Sequence, residues 1–372
     1  MVGSGGAVNF DLNEDEELLK ALAERFVTDQ YDLDRRRHYR AADAGFSAAN
    51  WTILGELGLI SALFAAEDGG AGLDATAIAL LFEAFGGGLL VEPLIDNLLV
   101  GGRLFARTAS GSLRDEWLPS LVEGRRRVAL AHHEGGPRGW RAGAATRAAA
   151  NGSGIRLNGT KSCVAGGGGA DGFLVTASTA EGAPARLYFI TANTPGLTIR
   201  PWRMADGAVA LSLTLDDVPA EALDGGWDDI VAVETTASLA RSAEALGIMR
   251  RMFAETLDHL RTRQQFGAPL GSFQAIQHRM AAQYAAIEQA RALLDLAIVS
   301  DGKPTFPQAV DGARAFIAEA SLTFGHEMIQ FHGGMGVSDE LAIGHGHKRL
   351  MVLSRWPESP EETLDRFAGV SS

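Results

Sequence analysis

One cysteine, Cys163, is all that these 372 residues contain. An internal disulfide framework is thereby excluded, and a reducing cytoplasm is the compartment expected. No apolar run approaches the roughly 20 residues that a membrane-spanning helix needs. The opening stretch, Met1–Val8, is glycine-rich and lacks a basic segment followed by an apolar one, so it reads as a flexible lead-in and not a signal peptide. Excess positive charge is missing too: 33 Lys and Arg against 46 Asp and Glu leave a net charge of −13. Such a balance argues against a nucleic-acid partner. The short basic run Arg125–Arg127 reads as a solvated turn. Histidines come close together only at His132-His133 and at His345 and His347. Neither group has the helical spacing and third ligand that a metal needs, so no metal site is expected. No nucleophile elbow, phosphate loop or zinc signature occurs.

What is present falls into three textures. From Asn13 to about Glu123, apolar residues recur at helical spacing: Leu18, Leu22 and Phe26, then Trp51, Leu54 and Leu57, then Ile78, Leu81 and Phe85. Gly69, Gly70 and Gly72 interrupt them as a turn. From about Val128 to Pro219 the period shortens. Gly159–Cys163, Gly172–Ala177, Arg186–Thr191 and Ala208–Asp216 read as strands separated by turn residues. From about Asp229 the helical period returns through Leu239, Ala243, Leu246, Met249, Phe253, Leu257 and Leu260, until Gly267 and Pro269 stop it. A second helix carries Phe273, Met280, Tyr284, Ile287 and Leu294, and a third runs from about Pro307 to Phe331. The arm Glu340–Phe367 shows no regular pattern. The plan is α+β with segregated layers. It divides into a flexible start (1–10), a helical domain (11–126), a β domain (127–228) and a helical bundle (229–372). Long helices with wide apolar faces predict an oligomer.

Two segments carry candidate chemistry. In the first, Arg261 and Arg263 flank a helix end, and Gln264, Gln265, Phe266 and Gly267 lead on to Phe273, Gln274 and Gln277. Two readings stand. A guanidinium fork matches phosphate oxygens, and arginines also neutralise the negative end of a helix. In the second, Gln330-Phe331-His332 precedes Gly333, Gly334 and Gly336. A simple helix cap needs a single glycine, so this set favours a ligand or a tight chain crossing. Gly166–Gly169 lacks the strand–turn–helix context of a dinucleotide fingerprint.

Those two segments, at that separation, resemble the hallmark stretches of the acyl-CoA dehydrogenase family. Glu56–Ile60 with Glu67–Gly70 is similar to its N-terminal domain, and Leu157–Lys161 to its middle domain. The resemblance covers nearly the whole chain. It implies an N-terminal α-helical domain, a β-barrel-like middle domain and a C-terminal four-helix bundle, assembled as an oligomer. It implies FAD as cofactor and an acyl-CoA thioester as substrate: a glutamate removes the α-proton while the β-hydrogen leaves as hydride to the flavin. By the same resemblance, Arg263 falls where the family grips the FAD pyrophosphate. Gln265, Phe266 and Gln274 fall on neighbouring contacts, and Gln330, Gly333 and Gly334 on the adenosine strip. In the family these residues reach the FAD of the adjoining subunit.

The flavin-ring half departs from the family. Where the family reads Thr-Glu-Pro-Gly-Ala-Gly-Ser, this chain has His132-His133-Glu134-Gly135-Gly136-Pro137. The residues flanking the ring fall on Cys163 and Ala165. The usual base position falls on Pro357, one before Glu358; the alternative falls on Ala237, with Ser238 in place of an arginine. Glu358 is the candidate catalytic residue, against a reading as a solvated acid in the run with Glu361 and Glu362. This pattern is similar to the small, non-catalytic-type subunits of heteromeric bacterial enzymes such as pimeloyl-CoA dehydrogenase. The implied partner is a second acyl-CoA dehydrogenase-like chain in an α2β2 assembly. A self-sufficient enzyme using Glu358 and a non-enzymatic scaffold are the other readings.

Overall fold

A computed structural model describes residues 12–135, 143–152 and 154–370. The flexible start expected at 1–10, and Gly136 and Pro137 of the altered ring segment, lie outside the described residues. The N-terminal helices are α1 (Glu14–Gln30), α2 (Leu33–Ala41), α3 (Ala48–Glu56), α4 (Ala75–Gly88), α5 (Arg103–Thr108) and α6 (Gly111–Val122). Their starts follow from the sequence. Asn13, Asp32, Ser47 and Asp74 each accept a bond from a first-turn N–H, and Asn13 forms a capping box with Glu16. A π-helical turn, Ile95–Gly102, precedes α5. Leu18 departs from its expected stripe and is 70% exposed, while Ile78, Leu81 and Phe85 are buried.

Next come β1 (Val128–Ala131), β2 (Arg147–Asn151), β3 (Gly154–Val164), β4 (Gly172–Ala177), β5 (Arg186–Thr191), β6 (Leu197–Arg203) and β7 (Val209–Gly226). The order is β1-β4-β5-β7-β3-β2, with β6 also on β7. Only β1 and β4 run parallel among these pairs. The long β7 bends, so that its first half pairs with β6 and its last residues pair with β5. A bridge between His133 and Cys163 ties the end of β1 to β3, and another joins Arg147 to Ser178, which rolls the sheet into a barrel-like form. Its interior is a separate apolar cluster that includes Leu157, Phe173, Val175, Leu213 and Val218.

The C-terminal helices are α7 (Trp227–Thr262), α8 (Gln274–Ile298), α9 (Phe306–His332), α10 (Ala342–Arg355) and α11 (Pro360–Phe367). The first four form the bundle, and α11 packs on α9. The arm expected to be irregular is therefore two helices. Its pattern is hidden because α10 buries Gly344, His345 and Gly346, and because its Arg349 pairs with Glu244 and Asp206. Helices α4 and α7 cross backbone to backbone. A Cβ at Gly86 would collide with the Glu244 carbonyl, and one at Gly247 with that of Glu83. The basic run is not the solvated turn expected. Only Arg125 is exposed; Arg126 lies over the Trp117 ring at 4.4 Å and Arg127 over Phe46 at 4.7 Å.

Candidate functional site

The first region lies where three elements meet. Cys163 and Ala165, at the end of β3, face the π-helical turn and α7 across a cavity of about 10 Å³. Asn97 sets this junction. Its amide donates to the carbonyls of Val128 and Gly166, at 3.0 and 2.9 Å, tying the π-helical turn to β1 and to the glycine turn after β3. Gly166 has φ +66°, and a Cβ there would press on Asp96 and Asn97. The glycine run is thus a tight crossing.

The cavity is closed by this chain's own aromatic side chains. Trp356, at the end of α10, lies 4.8 Å from the His133 ring, and the His133 imidazole donates to the Pro357 carbonyl at 3.2 Å. Burial lowers the His133 pKa. His132 bonds Thr176 at 3.0 Å and packs 5.4 Å from Trp227. Burial, with the nearby Asp96 charge, pushes the Cys163 thiol up to about 12, so it stays protonated.

Two carboxylates line the same cavity, Asp96 and Glu234, and neither was a candidate from sequence. Arg241, 2% exposed, donates to Glu234 at 2.5 Å and to Asp96 at 3.1 Å. Burial raises the Glu234 pKa, and the charges of Asp96 and Glu358 add to that. Burial alone would lower Arg241, but the two carboxylates outweigh it and hold the guanidinium charged. Behind Glu134, which follows His133, Lys161 is buried and donates to the Glu134 carboxylate at 2.6 Å and to Thr176 at 3.0 Å.

Glu358 does not line this cavity. It borders the neighbouring cleft between α7, α9 and α11, which shares Glu234 with this cavity. It is also not a solvated acid: it is 8% exposed, and Arg366 grips both its oxygens at 2.5 and 2.7 Å while bonding Asp311 at 2.8 Å. Thr363 donates to it as well, at 3.1 Å. Ala237 and Ser238 are buried on α7 with no acid or guanidinium of their own.

The second region is at the far end of α7. Arg263 caps that helix through its N–H to the His259 carbonyl at 2.8 Å. Gln264-Gln265 and Ala268-Pro269 pair as a minute hairpin whose tip is Phe266, φ 53°, and Gly267, φ 79°. Gln274 begins α8. His332 stacks on His259 with ring centres 4.3 Å apart, and so brings the end of α9, with Gln330, Gly333 and Gly334, beside the end of α7. All seven predicted contacts, Arg263, Gln265, Phe266, Gln274, Gln330, Gly333 and Gly334, are exposed. Space lies open above Gly267, Gly333 and Gly334, whereas Gly336 packs tightly on the Ile329 carbonyl. The glycine set thus divides into a chain crossing and an open edge. Among the described residues, the Arg263 guanidinium forms no ion pair within the chain. This edge therefore has room and charge for a diphosphate. The cavity at Cys163 and Ala165, with room for about one water, does not admit a three-ring isoalloxazine as it stands.

No described helix is long and apolar enough to cross a membrane, and no group of three potential metal ligands occurs among the described residues. Family models for the N-terminal and C-terminal domains of acyl-CoA dehydrogenase match residues 13–125 and 224–357. Acyl-CoA dehydrogenase FadE27 of Mycobacterium tuberculosis is 30% identical over 347 residues, covering 90% of each chain. A variant of the Tcur3481-Tcur3483 steroid ACAD superposes with a TM-score of 0.86 at 30% identity, over 96% of this chain and 97% of that one. A chain of the ChsE4-ChsE5 complex from Mycobacterium tuberculosis gives a TM-score of 0.88 at 26% identity, over 97% and 98%. With the helix–barrel–bundle order and relatives that span nearly its whole length, the chain belongs to the acyl-CoA dehydrogenase family.

Proposed function

We propose that this chain is the partner subunit of a heteromeric acyl-CoA dehydrogenase, completing an FAD site whose flavin-ring pocket and base lie on another chain. One observation carries the reading. The cavity beside Cys163 and Ala165 is walled in by Trp356 and His133 to about the size of a water, while the Arg263 edge stands open. In the assembled enzyme FAD would accept the hydride from the acyl-CoA thioester. This chain's residues would bind and orient its other end. Arg263 would pair with the diphosphate through a charge-assisted fork. Gln265 and Gln274 would add amide bonds, Phe266 an apolar cover, and Gln330, Gly333 and Gly334 would bring the end of α9 against the adenosine half. Two relatives support the reading by their names, one from a paired Tcur3481-Tcur3483 protein and one from a two-component complex.

A carboxylate serves as base when it can approach the reacting carbon. Glu358 is held by Arg366 and Thr363, and Glu234 and Asp96 are held by Arg241. The base is therefore assigned to the other chain. The test is to purify this chain alone, and co-expressed with an acyl-CoA dehydrogenase homologue encoded beside it, and to count flavin per chain by absorbance. Alone, it is expected to hold little FAD and to turn over no acyl-CoA; the pair is expected to hold FAD and reduce it. A lone chain carrying one FAD each, with turnover abolished in Glu358→Gln, would overturn the reading.

A further inference from the structure

We infer that the stacked imidazoles of His259 and His332 are a second part of the diphosphate clamp and take up a proton when FAD binds beside Arg263. This rests on the partner-subunit reading above. His259 lies four residues before Arg263, and its carbonyl accepts the Arg263 N–H at 2.8 Å. His332 immediately precedes Gly333. The rings are 4.3 Å apart and 23° from parallel, so the stack joins the two halves of the open edge.

Electrostatics gives this pair a task. The stack places the C-terminal ends of α7 and α9 side by side, and the carbonyl end of a helix carries partial negative charge. That arrangement repels a diphosphate unless cations offset it. The cations near it are mostly engaged. Arg261 pairs with Asp258 on α7 at 3.2 Å, and Arg279 of α8, which lies over Phe331, pairs with Glu327 of α9 at 2.7 Å. Arg263 remains, one charge against the two of the FAD diphosphate. A protonated imidazole is the nearest further source.

In the open clamp His259 is disposed to be neutral, since burial, His332 and Arg263 all lower its pKa. His332 directs its Nδ1 proton to the Met328 carbonyl at 3.0 Å. An arriving diphosphate places negative charge beside the stack and raises the proton affinity of His259. The sign follows: the added affinity is full below the free-state pKa and is lost as pH rises through the bound-state value. A rise of about one unit on binding corresponds to about tenfold in affinity.

The test measures FAD dissociation from the assembled two-chain complex by flavin fluorescence between about pH 5.5 and 8.5, with proton uptake read by calorimetry in buffers of different ionisation heat. Retention is expected to fall about tenfold across that range, with net proton uptake on binding. His259→Phe, which keeps a ring in the stack, should flatten the profile; His332→Phe, with thermal midpoint checked, is the second variant. A profile as steep in both variants as in the parent, or binding without proton uptake, would overturn the inference alone if Arg263→Ala still weakens FAD retention. If Arg263→Ala leaves retention unchanged at every pH, the partner-subunit reading itself falls.

Discussion

Arg241 shows what a single buried charge asks of its neighbours. Its guanidinium sits between Glu234 and Asp96 with almost no solvent. A buried ion pair broken on one side leaves a charge uncompensated, which costs more than the intact pair contributes. Arg241→Leu is therefore expected to destabilise the fold by about 3–5 kcal/mol at neutral pH, read by urea unfolding. The deficit should shrink as pH falls, because Glu234, its pKa already raised by burial, then binds a proton in the folded state. A deficit that grows in acid would contradict this. Glu134 gives the opposite sign. Burial pushes its carboxyl up, but the Lys161 ammonium and N–H groups at Ala145 and Thr146 hold it down at about 2. Burial pulls Lys161 down to about 8, so the ammonium remains charged at neutral pH and the pair is intact. The stabilisation from Glu134 is full above the ordinary glutamate range and is lost as pH falls toward 2. Glu134→Gln should cost about 3 kcal/mol at pH 7 and lose less further stability between pH 5 and pH 3 than the parent does.

At the scale of elements, α11 is a test of what Glu358 does. That helix has eight residues, too few to be stable by itself. Its Arg366 clasps Glu358 and Asp311 together, which pins α11 to α9. Glu358→Gln should loosen this clasp by about 1–2 kcal/mol, seen as amide exchange in residues 360–367 that is roughly 5–30-fold faster. Turnover by the assembled complex should survive. Loss of turnover with exchange unchanged would instead make Glu358 the base. The same region shows where sequence reading reached its limit. Strands β4 and β5 were legible to their last residue, because runs such as Phe173–Val175 are apolar and bounded by turns. Strand β2, Arg-Ala-Ala-Ala-Asn, has weak strand propensity and exists because it pairs with β3. Strand β6 alternates only over Leu197–Arg200 before Pro201 and is mostly exposed, so its period-two signal is short and weak. That Cys163 and Ala165 line a cavity beside the end of β3 agrees with the positions the family resemblance gave them. The packing of Trp356 against that cavity, and the Asp96–Arg241 pair across 145 residues, could not be read, since long-range contacts leave no local period.

On the scale of the whole molecule, the closed cavity and the open edge place opposite demands on one chain. Residues that serve the fold should stabilise the isolated chain, and residues that serve the assembly need not. Phe266 separates the two. It is 94% exposed with φ 53°, a left-handed backbone that an L residue adopts at a cost of about 1–2 kcal/mol. Met335 and Val337, 56% and 67% exposed on the segment after α9, are further apolar side chains that the isolated chain leaves in water. A strained, solvent-facing aromatic contributes little to the lone chain, so its reason lies in what covers it. Phe266→Gly should stabilise the lone chain by roughly 0.5–1 kcal/mol in urea unfolding, since glycine takes this conformation freely. In the two-chain complex the same substitution should speed FAD release, because it removes the apolar cover proposed for the cofactor. A lone chain made less stable would show that Phe266 supports the fold. Unchanged FAD release would show that the hairpin tip does not meet the cofactor held by the other subunit.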